Sequence, residues 1–445
     1  MKRIKSISIF GLGYVGLSTA VCFASKGFKV LGVDIDRRKV DALRKGETYV
    51  YEPKLKSLLL KAMKNGCFHP MLDHKRAVTE SEATFITVGT PSKEDGSADL
   101  RHVEESSRMI GSSLKDKESY HLVVVKSTVP PGTTNQLVKP TIEMASSKRC
   151  GSEWGLCMNP EFLREGSAIK DTLKPDRIII GEYDKASGDV LEKLYEEFYD
   201  YKMPPLIRTN PANAELIKYA NNAFLATKVS FINSVANLCQ KIPNADVKVV
   251  AESIGLDRRI GHLFLNAGLG WGGSCFLKDL KALTAYAKGL HAELPVVEAS
   301  MKVNEDQPLI AISLAHKLVG VLKKKRVSIL GLSFKPNTDD MREAVSVKVI
   351  NSLLKEGAYV VVHDPRALDN AKKIFGDKVR YEERVRDCLK DSECCIIVTE
   401  WDEYKALKPN DFQRYMKNPA VVDGRRIYDP EEFKLIKYAT VGLGS

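Results

Sequence analysis

The chain begins with an order of secondary-structure signals that restricts its fold more than any other part of the sequence. The apolar run from Ile4 to Phe10 predicts a strand, and the glycine-rich turn Gly11 to Gly16 is followed by a helix-like stretch ending near Gly27. A second strand is predicted from Lys29 to Val33, and it ends at Asp34. Strand, turn, helix and strand in this order form a βαβ unit, which predicts a parallel sheet covered by helices.

The turn, Gly-Leu-Gly-Tyr-Val-Gly, has the spacing of a dinucleotide-binding fingerprint. In such a turn the first glycine allows the tight bend, the second lets the backbone approach a pyrophosphate, and the third allows close packing of helix on strand. The pyrophosphate then lies at a helix N-terminus, where unpaired N–H groups favour anions. The residues expected to contact the dinucleotide are Gly11, Gly13, Tyr14, Val15 and Gly16.

Asp34 indicates which dinucleotide is bound. It follows the turn at roughly the 20-residue distance expected for a carboxylate that binds the adenosine ribose. Its negative charge would repel a 2′-phosphate, so the sequence predicts NAD rather than NADP. Arg37, Arg38 and Lys39 follow closely and weaken that preference slightly.

Two further predicted strands end in small polar residues. The run Ala83 to Val88 leads into Gly89-Thr90-Pro91, and the run His121 to Val125 leads into Lys126-Ser127-Thr128. Ordinary turn chemistry explains each ending alone. Because both follow strands, and ligands bind at the carboxyl edge of a parallel sheet, contact with the cofactor is the favoured interpretation.

A long helix is predicted in the middle of the chain. Asn210 and Pro211 form a helix-start signal, and from Ala212 to about Gln240 there is no proline or glycine. Such a helix is typical of a spine between domains or of a dimer contact. Lys218 and Asn222 lie four positions apart, hence on one helix face, and would by themselves be an ordinary solvated stripe.

A second α/β unit is predicted near the C-terminus. A strand from Val327 to Leu330, a helix from about Ala344 to Lys355 and a strand from Tyr359 to Val362 precede Asp364. Ser333 replaces the second glycine of the fingerprint, so we do not expect this unit to bind NAD. Two further apolar strands, at 394–398 and 421–425, continue the sheet, and a linker is expected near 305–325.

These patterns predict an α/β protein with two Rossmann-like doubly wound domains joined by a long central helix and a helical dimerisation region. A chain of 445 residues is too long for a single core. The expected domain boundaries are 1–208, 209–305 and 306–445.

One cysteine lies in a setting unlike that of the other eight. Residues 268–279 read Gly-Leu-Gly-Trp-Gly-Gly-Ser-Cys-Phe-Leu-Lys-Asp, so Cys275 ends a glycine-dense loop that a ligand can approach closely. Nearby cations would favour the nucleophilic thiolate. A buried cysteine is mostly a small hydrophobe, and this alternative stays open. A redox cofactor together with a nucleophilic thiol favours an oxidation that passes through a covalent thioester.

Composition excludes several classes of protein. The net charge of +11 is spread along the chain without a zinc-finger or RNP-type signature, so nucleic acid is not an expected partner. No apolar run approaches the ~18 residues that span a bilayer, and the N-terminus lacks a signal-peptide pattern. Nine cysteines without CxxC spacing argue against a disulfide framework or a zinc site. We expect a cytoplasmic protein that has no metal and does not bind a membrane.

With these pieces in order, the chain resembles the UDP-glucose/GDP-mannose dehydrogenase family over nearly its full length. The segments that carry the resemblance are Gly11–Gly16, Lys126–Pro130, Asn159–Gly166, Glu215–Asn222, Gly270–Asp279 and Gly331–Arg342.

The resemblance implies a function. The family oxidises the C6 alcohol of a nucleotide sugar to a carboxylate with two NAD, through a thioester. The segments are most similar to those of members that convert UDP-glucose to UDP-glucuronate. The same chemistry on a UDP-N-acetylhexosamine or GDP-mannose is the nearest alternative, and a catalytically silent NAD-binding protein is a remote one. The family architecture implies an NAD domain, a helical dimer spine and a nucleotide-sugar domain, hence a homodimer.

The resemblance also implies roles for individual residues. Cys275 would be the nucleophile, and Lys218 and Asn222 would stabilise negative charge on the C6 oxygen. Asp279 would orient a water and move protons. Glu161 would be the base for thioester hydrolysis and Thr128 would hold the water, although Glu161 by itself is an ordinary surface carboxylate.

Other positions match cofactor or substrate contacts of the family. On the cofactor side they are Asp34, Lys39, Thr90, Thr128, Glu165, Lys278 and Arg342. On the substrate side they are Glu161, Phe162, Leu163, Lys218, Asn222, Arg259, Gly272, Phe334, Lys335 and Arg425, with Arg259 expected to reach across a dimer interface. Trp271 stands where many members have phenylalanine, and its larger ring is expected to narrow the sugar pocket.

Overall fold

The computed structural model of the chain describes residues 4–444. They form two compact units, which are described separately. The first comprises the described residues up to Asn221 together with Lys281–Gly289, and the second comprises Asn222–Leu280 and the described residues from Leu290 onward. Within 4–444, no helix is both long enough and apolar enough to cross a lipid bilayer.

The first unit is built on an eight-stranded sheet with the order β3-β2-β1-β4-β5-β6-β7-β8. All neighbouring strands are parallel except β6 and β7. The strands are β1 Ser6–Phe10, β2 Lys29–Val33, β3 Phe68–Met71, β4 Ala83–Ile86, β5 His121–Val125, β6 Trp154–Met158, β7 Ile178–Glu182 and β8 Leu206–Thr209. The helices are α1 Tyr14–Ser25, α2 Arg37–Arg44, α3 Leu55–Lys64, α4 His74–Thr79, α5 Arg101–Leu114, α6 Lys139–Ser146, α7 Ala168–Leu173 and α8 Lys185–Phe198, with a π-helical turn at Thr134–Val138.

The central strands of this sheet are almost completely buried because helices cover both of their faces. Every residue of β5 is buried, as expected for a parallel sheet enclosed between two helical layers. One face packs against a cluster that contains Phe23, Phe85 and Phe198, and the other against a cluster that contains Ile110 and Trp154. The carboxyl ends of β1, β4 and β5 therefore meet at one edge, where the polar residues after each strand are placed together.

The second unit contains a six-stranded parallel sheet with the order β11-β10-β9-β12-β13-β14. Its strands are β9 Arg326–Leu330, β10 Tyr359–His363, β11 Arg380–Tyr381, β12 Cys394–Ile397, β13 Ala420–Asp423 and β14 Lys437–Thr440. Its helices are α10 Val247–Gly255, α12 Pro295–Asp306, α13 Leu309–Val319, α14 Val345–Lys355, α15 Leu368–Phe375, α16 Val385–Leu389, α17 Asp402–Lys405, α18 Pro409–Tyr415 and α19 Pro430–Phe433, with a 3₁₀ turn at Gly376–Lys378. Helices α9 Pro211–Cys239 and α11 Phe276–Gly289 each belong in part to both units.

The predicted fold class is confirmed. Each unit contains a largely parallel sheet with covering helices. The predicted long helix is α9, of 29 residues, whose bounds differ by one residue from those predicted. The absence of proline and glycine from that stretch allowed the prediction, because either residue would have weakened a helix interior.

The predicted linker near 305–325 is wrong. Residues Leu309–Val319 form helix α13, and Ala311, Ile312 and Ala315 are buried in the core of the second unit. In the sequence, Pro308 and the basic residues at 323–326 resemble residues that separate one secondary-structure element from the next. In the structure Pro308 stands at the helix N-terminus, a position that proline tolerates, and the apolar face of α13 packs on the sheet.

Candidate active site

The glycine-rich turn has the geometry of a phosphate-binding loop. Gly11 has φ 92°, and a Cβ at this position would meet the Val88 side chain at 2.9 Å. Gly13 is the N-cap residue of α1, and a Cβ there would meet no described atom within 4 Å. Protein atoms therefore fill the space beside Gly11, whereas the space beside Gly13, at the N-terminus of α1, is open. This arrangement fits a pyrophosphate.

Asp34 lies at the end of β2 with its carboxylate turned toward the glycine turn. The carboxylate accepts hydrogen bonds from the Leu12 N–H (2.9 Å) and the Asp36 N–H (2.9 Å). The Lys39 ammonium is 3.5 Å from it. Asp34 and Lys39 line a cavity of about 370 Å³ together with Gly11 and Gly13. The cavity can accept a nucleoside whose ribose hydroxyls bond to Asp34.

Thr90 connects two strand ends beside this cavity. Its hydroxyl donates to the Thr128 carbonyl (2.8 Å), so the segments after β4 and β5 are held together at the carboxyl edge of the sheet. The sequence predicted cofactor contact for both residues, and the structure brings them into mutual contact. Glu165 is half-buried in the loop after β6.

A buried ion pair occupies the same unit. The Lys218 ammonium, on α9, donates to a Glu161 carboxylate oxygen at 3.0 Å, and the two side chains are only 4% and 9% exposed. The other Glu161 oxygen accepts the Leu163 N–H at 2.5 Å. The Phe162 ring lies 5.5 Å from the Lys218 ammonium. The sequence-level alternative of a surface carboxylate for Glu161 is therefore wrong, because its charge is neutralised inside the protein.

In the second unit, Cys275 stands at the start of a helix. The Asp279 N–H donates to the Cys275 carbonyl (2.9 Å), which places the cysteine just ahead of the first turn of α11. Cys275 is exposed, whereas Cys22, Cys394 and Cys395 are buried. A helix N-terminus stabilises negative charge, including that of a thiolate.

Asp279 is held between two donors. Its carboxylate accepts a hydrogen bond from the Asn222 amide (2.7 Å) and one from the Lys278 ammonium (2.5 Å), and its side chain is almost fully buried. The structure thus assembles four of the predicted site residues, from α9 and the first turn of α11, within one unit. A carboxylate fixed in this way, one helical turn after Cys275, can hold a water or accept a proton near the thiol.

Side-chain amides fix the cysteine loop to neighbouring helices. Asn304 of α12 exchanges hydrogen bonds with the backbone of Trp271 (2.7 and 2.9 Å). Asn233 of α9 accepts from the Gly268 N–H (2.8 Å), and Gln307 donates to the Gly268 carbonyl (2.8 Å). The loop is therefore anchored to α9 and to the α12 region at both Gly268 and Trp271. None of these three amides belongs to a local sequence pattern, so their contacts with the loop could not be predicted.

Trp271 is part of this anchoring. Its ring is buried, its indole N–H donates to the Ser230 hydroxyl (3.0 Å), and it packs edge-on against Phe276 (5.7 Å between ring centres). These contacts satisfy the indole N–H inside the protein. The expected narrowing of a sugar pocket stays a prediction.

Predicted substrate residues of the second unit converge on the same loop. Arg425 follows β13, and its guanidinium donates to the Gly270 carbonyl (3.0 Å). A Cβ on Gly273 would lie 2.8 Å from the Phe334 ring, and one on Gly272 would meet the Glu343 carbonyl. The glycines therefore allow close approach of this loop to the segment after β9. The predicted approach of a ligand to the loop stays a prediction.

Several predicted residues lie on the surface of their units. Arg259 pairs with Asp257 (2.6 Å) and Arg342 with Asp340 (2.6 Å), and both guanidinium groups are mostly exposed. The Lys335 ammonium lies 5.5 Å from the Phe334 ring centre. Long exposed cations can reorient toward an anionic ligand, so their predicted roles stay predictions.

Sequence reasoning missed a buried carboxylate, Glu52. It pairs with the Tyr14 hydroxyl, and the Gly166 N–H donates to both groups (2.8 and 2.7 Å). These contacts tie the glycine-rich turn to the loop that carries Glu161 and Glu165. Glu52 lies in an irregular segment before α3, where no periodicity marks a functional residue.

Three models of one protein family match the chain in order. They describe the UDP-glucose/GDP-mannose dehydrogenase family: its NAD binding domain matches residues 5–199, its central domain 212–306, and its UDP binding domain 328–430. The first match confirms the prediction of NAD, which the open turn and Asp34 fit. The second and third cover the cysteine loop and the second sheet.

Individual proteins are similar over nearly the whole length. UDP-glucose 6-dehydrogenase TuaD of Bacillus subtilis (strain 168) is 40% identical over 441 residues, which cover 99% of this chain and 93% of the relative. UDP-glucose 6-dehydrogenase AglM of Haloferax volcanii is 42% identical over 433 residues, covering 96% and 98%. A solved structure of a UDP-glucose dehydrogenase from the archaeon Pyrobaculum islandicum has a TM-score of 0.91 at 42% identity and covers 99% of this chain and 98% of its own.

Proposed function

Because the chain belongs to the UDP-glucose/GDP-mannose dehydrogenase family, we propose that it oxidises the C6 alcohol of UDP-glucose to the carboxylate of UDP-glucuronate with NAD. The observation that carries the proposal is the exposed Cys275 at the N-terminus of α11, one turn before an Asp279 that is fixed by Asn222 and Lys278. A simple alcohol dehydrogenase needs no such thiol. An oxidation by four electrons does, since the intermediate aldehyde must be retained.

Bound NAD supplies the acceptor for each of the two hydrides that leave C6. The protein holds the coenzyme with the open turn at Gly13 and with Asp34, both in the first unit. The overall change consumes one sugar nucleotide, two NAD and one water, and gives one carboxylate, two NADH and three protons. One carboxylate oxygen is the original C6 oxygen, and the other comes from the water.

Cys275 retains the substrate between the two oxidations. After the first hydride leaves, the thiolate adds to the C6 aldehyde, and a C–S bond forms while the carbonyl oxygen takes a proton. This thiohemiacetal still has a hydrogen on C6, and its loss as a second hydride, with loss of the hydroxyl proton, gives a thioester. Water then attacks the thioester, the C–S bond breaks, and the thiolate is restored.

The buried polar residues would control the charges that develop in these steps. Lys218 and Asn222 are fixed donors on α9 and would stabilise negative charge on the C6 oxygen. Asp279 would hold a water or accept a proton beside Cys275. Glu161 would be the base for thioester hydrolysis, with Thr128 holding the attacking water. The small exposure of Lys218 and Glu161 supports these roles, because charges act more strongly where water is scarce.

We propose that the second unit binds the UDP part of the substrate. The UDP binding domain of the family matches residues 328–430, which include Lys335 and Arg425. Guanidinium and ammonium groups suit a diphosphate. Gly272 and Phe334 would allow the substrate to lie against the cysteine loop, Phe162 and Leu163 would contact the sugar, and Arg259 would act across a subunit interface.

We also propose a homodimer formed by α9, with functional domains at 1–208, 209–305 and 306–445. Phe224, Phe231 and Leu238 are 65%, 55% and 57% exposed and recur every seven residues along this helix. A repeat of that length places apolar side chains in one seam that a second copy can cover. Phe231→Lys should give a monomer in light scattering, and an unchanged mass would refute the interface.

We place the enzyme in the cytoplasm, where its thiols stay reduced.

The decisive experiment measures NADH formed per sugar nucleotide consumed, with UDP-glucose, a UDP-N-acetylhexosamine and GDP-mannose supplied separately. We expect two NADH per UDP-glucose and little turnover of the other two. A ratio of one with a free aldehyde as product would refute the thioester mechanism. Faster turnover of another sugar would transfer the assignment to that substrate.

A further inference from the structure

A second lysine, Lys126, is buried in the unit that contains the Glu161–Lys218 ion pair. Lys126 follows β5 directly, its side chain is 8% exposed, and its ammonium donates to the Asn159 amide oxygen at 2.9 Å. Burying an ammonium is costly unless it is paired and hydrogen-bonded. The presence of Lys126 in this place therefore requires an explanation that core packing does not supply.

Asn159 gives Lys126 a fixed partner. Its N–H donates to the Val125 carbonyl (2.8 Å), and its side-chain amide donates to the Ile179 carbonyl (2.8 Å). The Tyr195 hydroxyl donates to the same amide oxygen as Lys126 does, at 2.5 Å. Asn159 thus ties three neighbouring strands together, and Glu161 follows it by two residues. The position of the Lys126 ammonium and the start of the Glu161 loop are set by one side chain.

Lys126 and Glu161 also line the same cavity, of about 250 Å³. The charged and titratable groups around it, besides these two, are Arg164, Lys170, Asp171, Lys174, Asp176, Arg177, Tyr195 and Tyr199. Arg164 is paired with Asp171 (2.8 Å), and the Arg177 guanidinium lies over the Phe162 ring. Lys218 faces Glu161 from α9. Glu161 therefore shares a cavity with one buried ammonium group, that of Lys126, and is paired with another, that of Lys218.

The electrostatics agree with this arrangement. Burial lowers the pKa of Lys126 to about 8; the charge of Glu161 raises it and the charge of Lys218 lowers it. Lys126 is consequently a cation at neutral pH, held in an environment that Glu161 helps to stabilise.

We propose that Lys126 is a positioning residue for Glu161, one that fixes the Asn159–Glu161 turn and whose positive charge keeps the Glu161 carboxylate ionised for thioester hydrolysis. The inference rests on the proposed function, in which Glu161 is the base of that step. It assigns no contact between Lys126 and the substrate. Its effect is on the protonation state of another side chain, so it is visible in a pH profile.

The test is Lys126→Gln, which keeps an N–H donor for Asn159 but removes the charge. Loss of a neighbouring cation raises the proton affinity of a carboxylate, so the acid limb of the pH–kcat profile should move upward by about one pH unit. At pH values below this limb, thioester hydrolysis should be roughly tenfold slower. The first oxidations should be unaffected, and rapid mixing should show a burst of two NADH per active subunit before slow turnover.

Two matched variants separate charge from packing. Lys126→Arg keeps the charge and should leave the acid limb within a few tenths of a pH unit of its original position. Tyr195→Phe removes the other hydrogen bond to the same Asn159 oxygen without changing any charge, and should also leave the limb in place. If Tyr195→Phe moves the limb as far as Lys126→Gln does, the effect is geometric and the inference is wrong.

The remaining outcomes are also decisive. If Lys126→Gln slows the first hydride transfer and weakens NAD binding as much as it slows hydrolysis, Lys126 is only structural. The same conclusion follows if neither Lys126→Gln nor Lys126→Met folds. Failure of the proposed function looks different, because the unmodified enzyme would then form one NADH or none per UDP-glucose.

Discussion

The two parallel sheets place an aspartate at equivalent positions and use it in opposite ways. Asp34 follows β2 and Asp364 follows β10, each after the second strand of a βαβ unit. The Asp34 carboxylate accepts two backbone N–H groups and lies beside an open cavity. The Asp364 carboxylate accepts hydrogen bonds from Leu332 N (2.7 Å), Ser333 N (3.0 Å), Ser333 Oγ (3.1 Å), Arg366 N (2.8 Å), Ala367 N (2.9 Å) and Trp401 Nε1 (3.2 Å).

A tight glycine turn therefore occurs both with and without an open ligand site beside it. Gly11 and Gly331 both have positive φ (92° and 102°), because each lies close to the segment after the next strand in its sheet. The tight bend is thus kept in both units. In the second unit, however, Ser333 and Trp401 occupy the acceptor positions that a ribose would need. A carboxylate whose hydrogen-bonding positions are filled by its own chain stabilises the fold, and we expect it not to bind a coenzyme.

Cys275→Ser should have the largest effect, and it should affect catalysis without affecting the coenzyme site of the first unit. Cys275→Ser should lower complete oxidation to the carboxylate by at least ~10³-fold, because a hydroxyl lacks the nucleophilicity of a thiolate at neutral pH. The NAD dissociation constant, measured by NADH or NAD titration, should change less than about twofold. An unaltered rate of UDP-glucuronate formation would reject Cys275 as the nucleophile.

The matched variants Asp34→Asn and Asp364→Asn test whether one aspartate binds the coenzyme and the other stabilises the fold. Asp34→Asn should raise KM for NAD by roughly 10- to 100-fold, because charge-assisted hydrogen bonds contribute about 1.5–3 kcal/mol. Asp364→Asn should leave KM for NAD unchanged and lower the free energy of unfolding by about 2–4 kcal/mol, since several buried donors lose their acceptor. If both variants raised KM for NAD equally, the two aspartates would not differ in their role in NAD binding.

A smaller effect is expected from Gly13→Ala. A Cβ at this position meets no described atom within 4 Å, so the melting temperature should fall by little. The methyl group would nevertheless stand where the pyrophosphate approaches the backbone, and KM for NAD should rise about tenfold. Ser333→Gly is the control in the second unit and should create no NAD binding. Detectable NAD binding there would show that the serine alone excludes the coenzyme.

The sequence predicted local features well and long-range ones poorly. The glycine turn, Asp34, the proline-free α9 and the glycine loop before Cys275 are all coded by neighbouring residues, and the structure has them. Lys126 and Asn159 are 33 positions apart and meet because β5 and β6 are neighbours. Hydrophobic periodicity along the sequence does not indicate such a contact. The anchoring of Trp271 and the burial of α13 were likewise missed, because both depend on contacts with segments that are distant in the sequence.

The smallest effect concerns the pH dependence of stability, where histidines of the two units have opposite signs. His121 is fully buried in the first unit, between the Thr84 hydroxyl (2.7 Å) and the Lys117 ammonium (2.8 Å). Burial, and then the charge of Lys117, hold the pKa of His121 well below its usual range. In the second unit His316 is exposed, and its hydrogen bond to Glu356 raises its pKa.

The sign of each contribution follows from which state binds the proton. Below about pH 6.5 the unfolded chain protonates His121 and the folded one does not, so stability falls with decreasing pH, by up to about 1.4 kcal/mol per pH unit. His316 does the reverse: its contribution is present in acid and is lost as pH rises through its raised folded-state pKa, but an exposed pair contributes only roughly 0.2–0.5 kcal/mol. Urea unfolding between pH 5 and 8 should show a flatter acid decline for His121→Gln and a slightly steeper one for His316→Gln. If His121→Gln declines as steeply as the unmodified protein, His121 is already protonated in the folded state, and its placement between Thr84 and Lys117 would have to be abandoned.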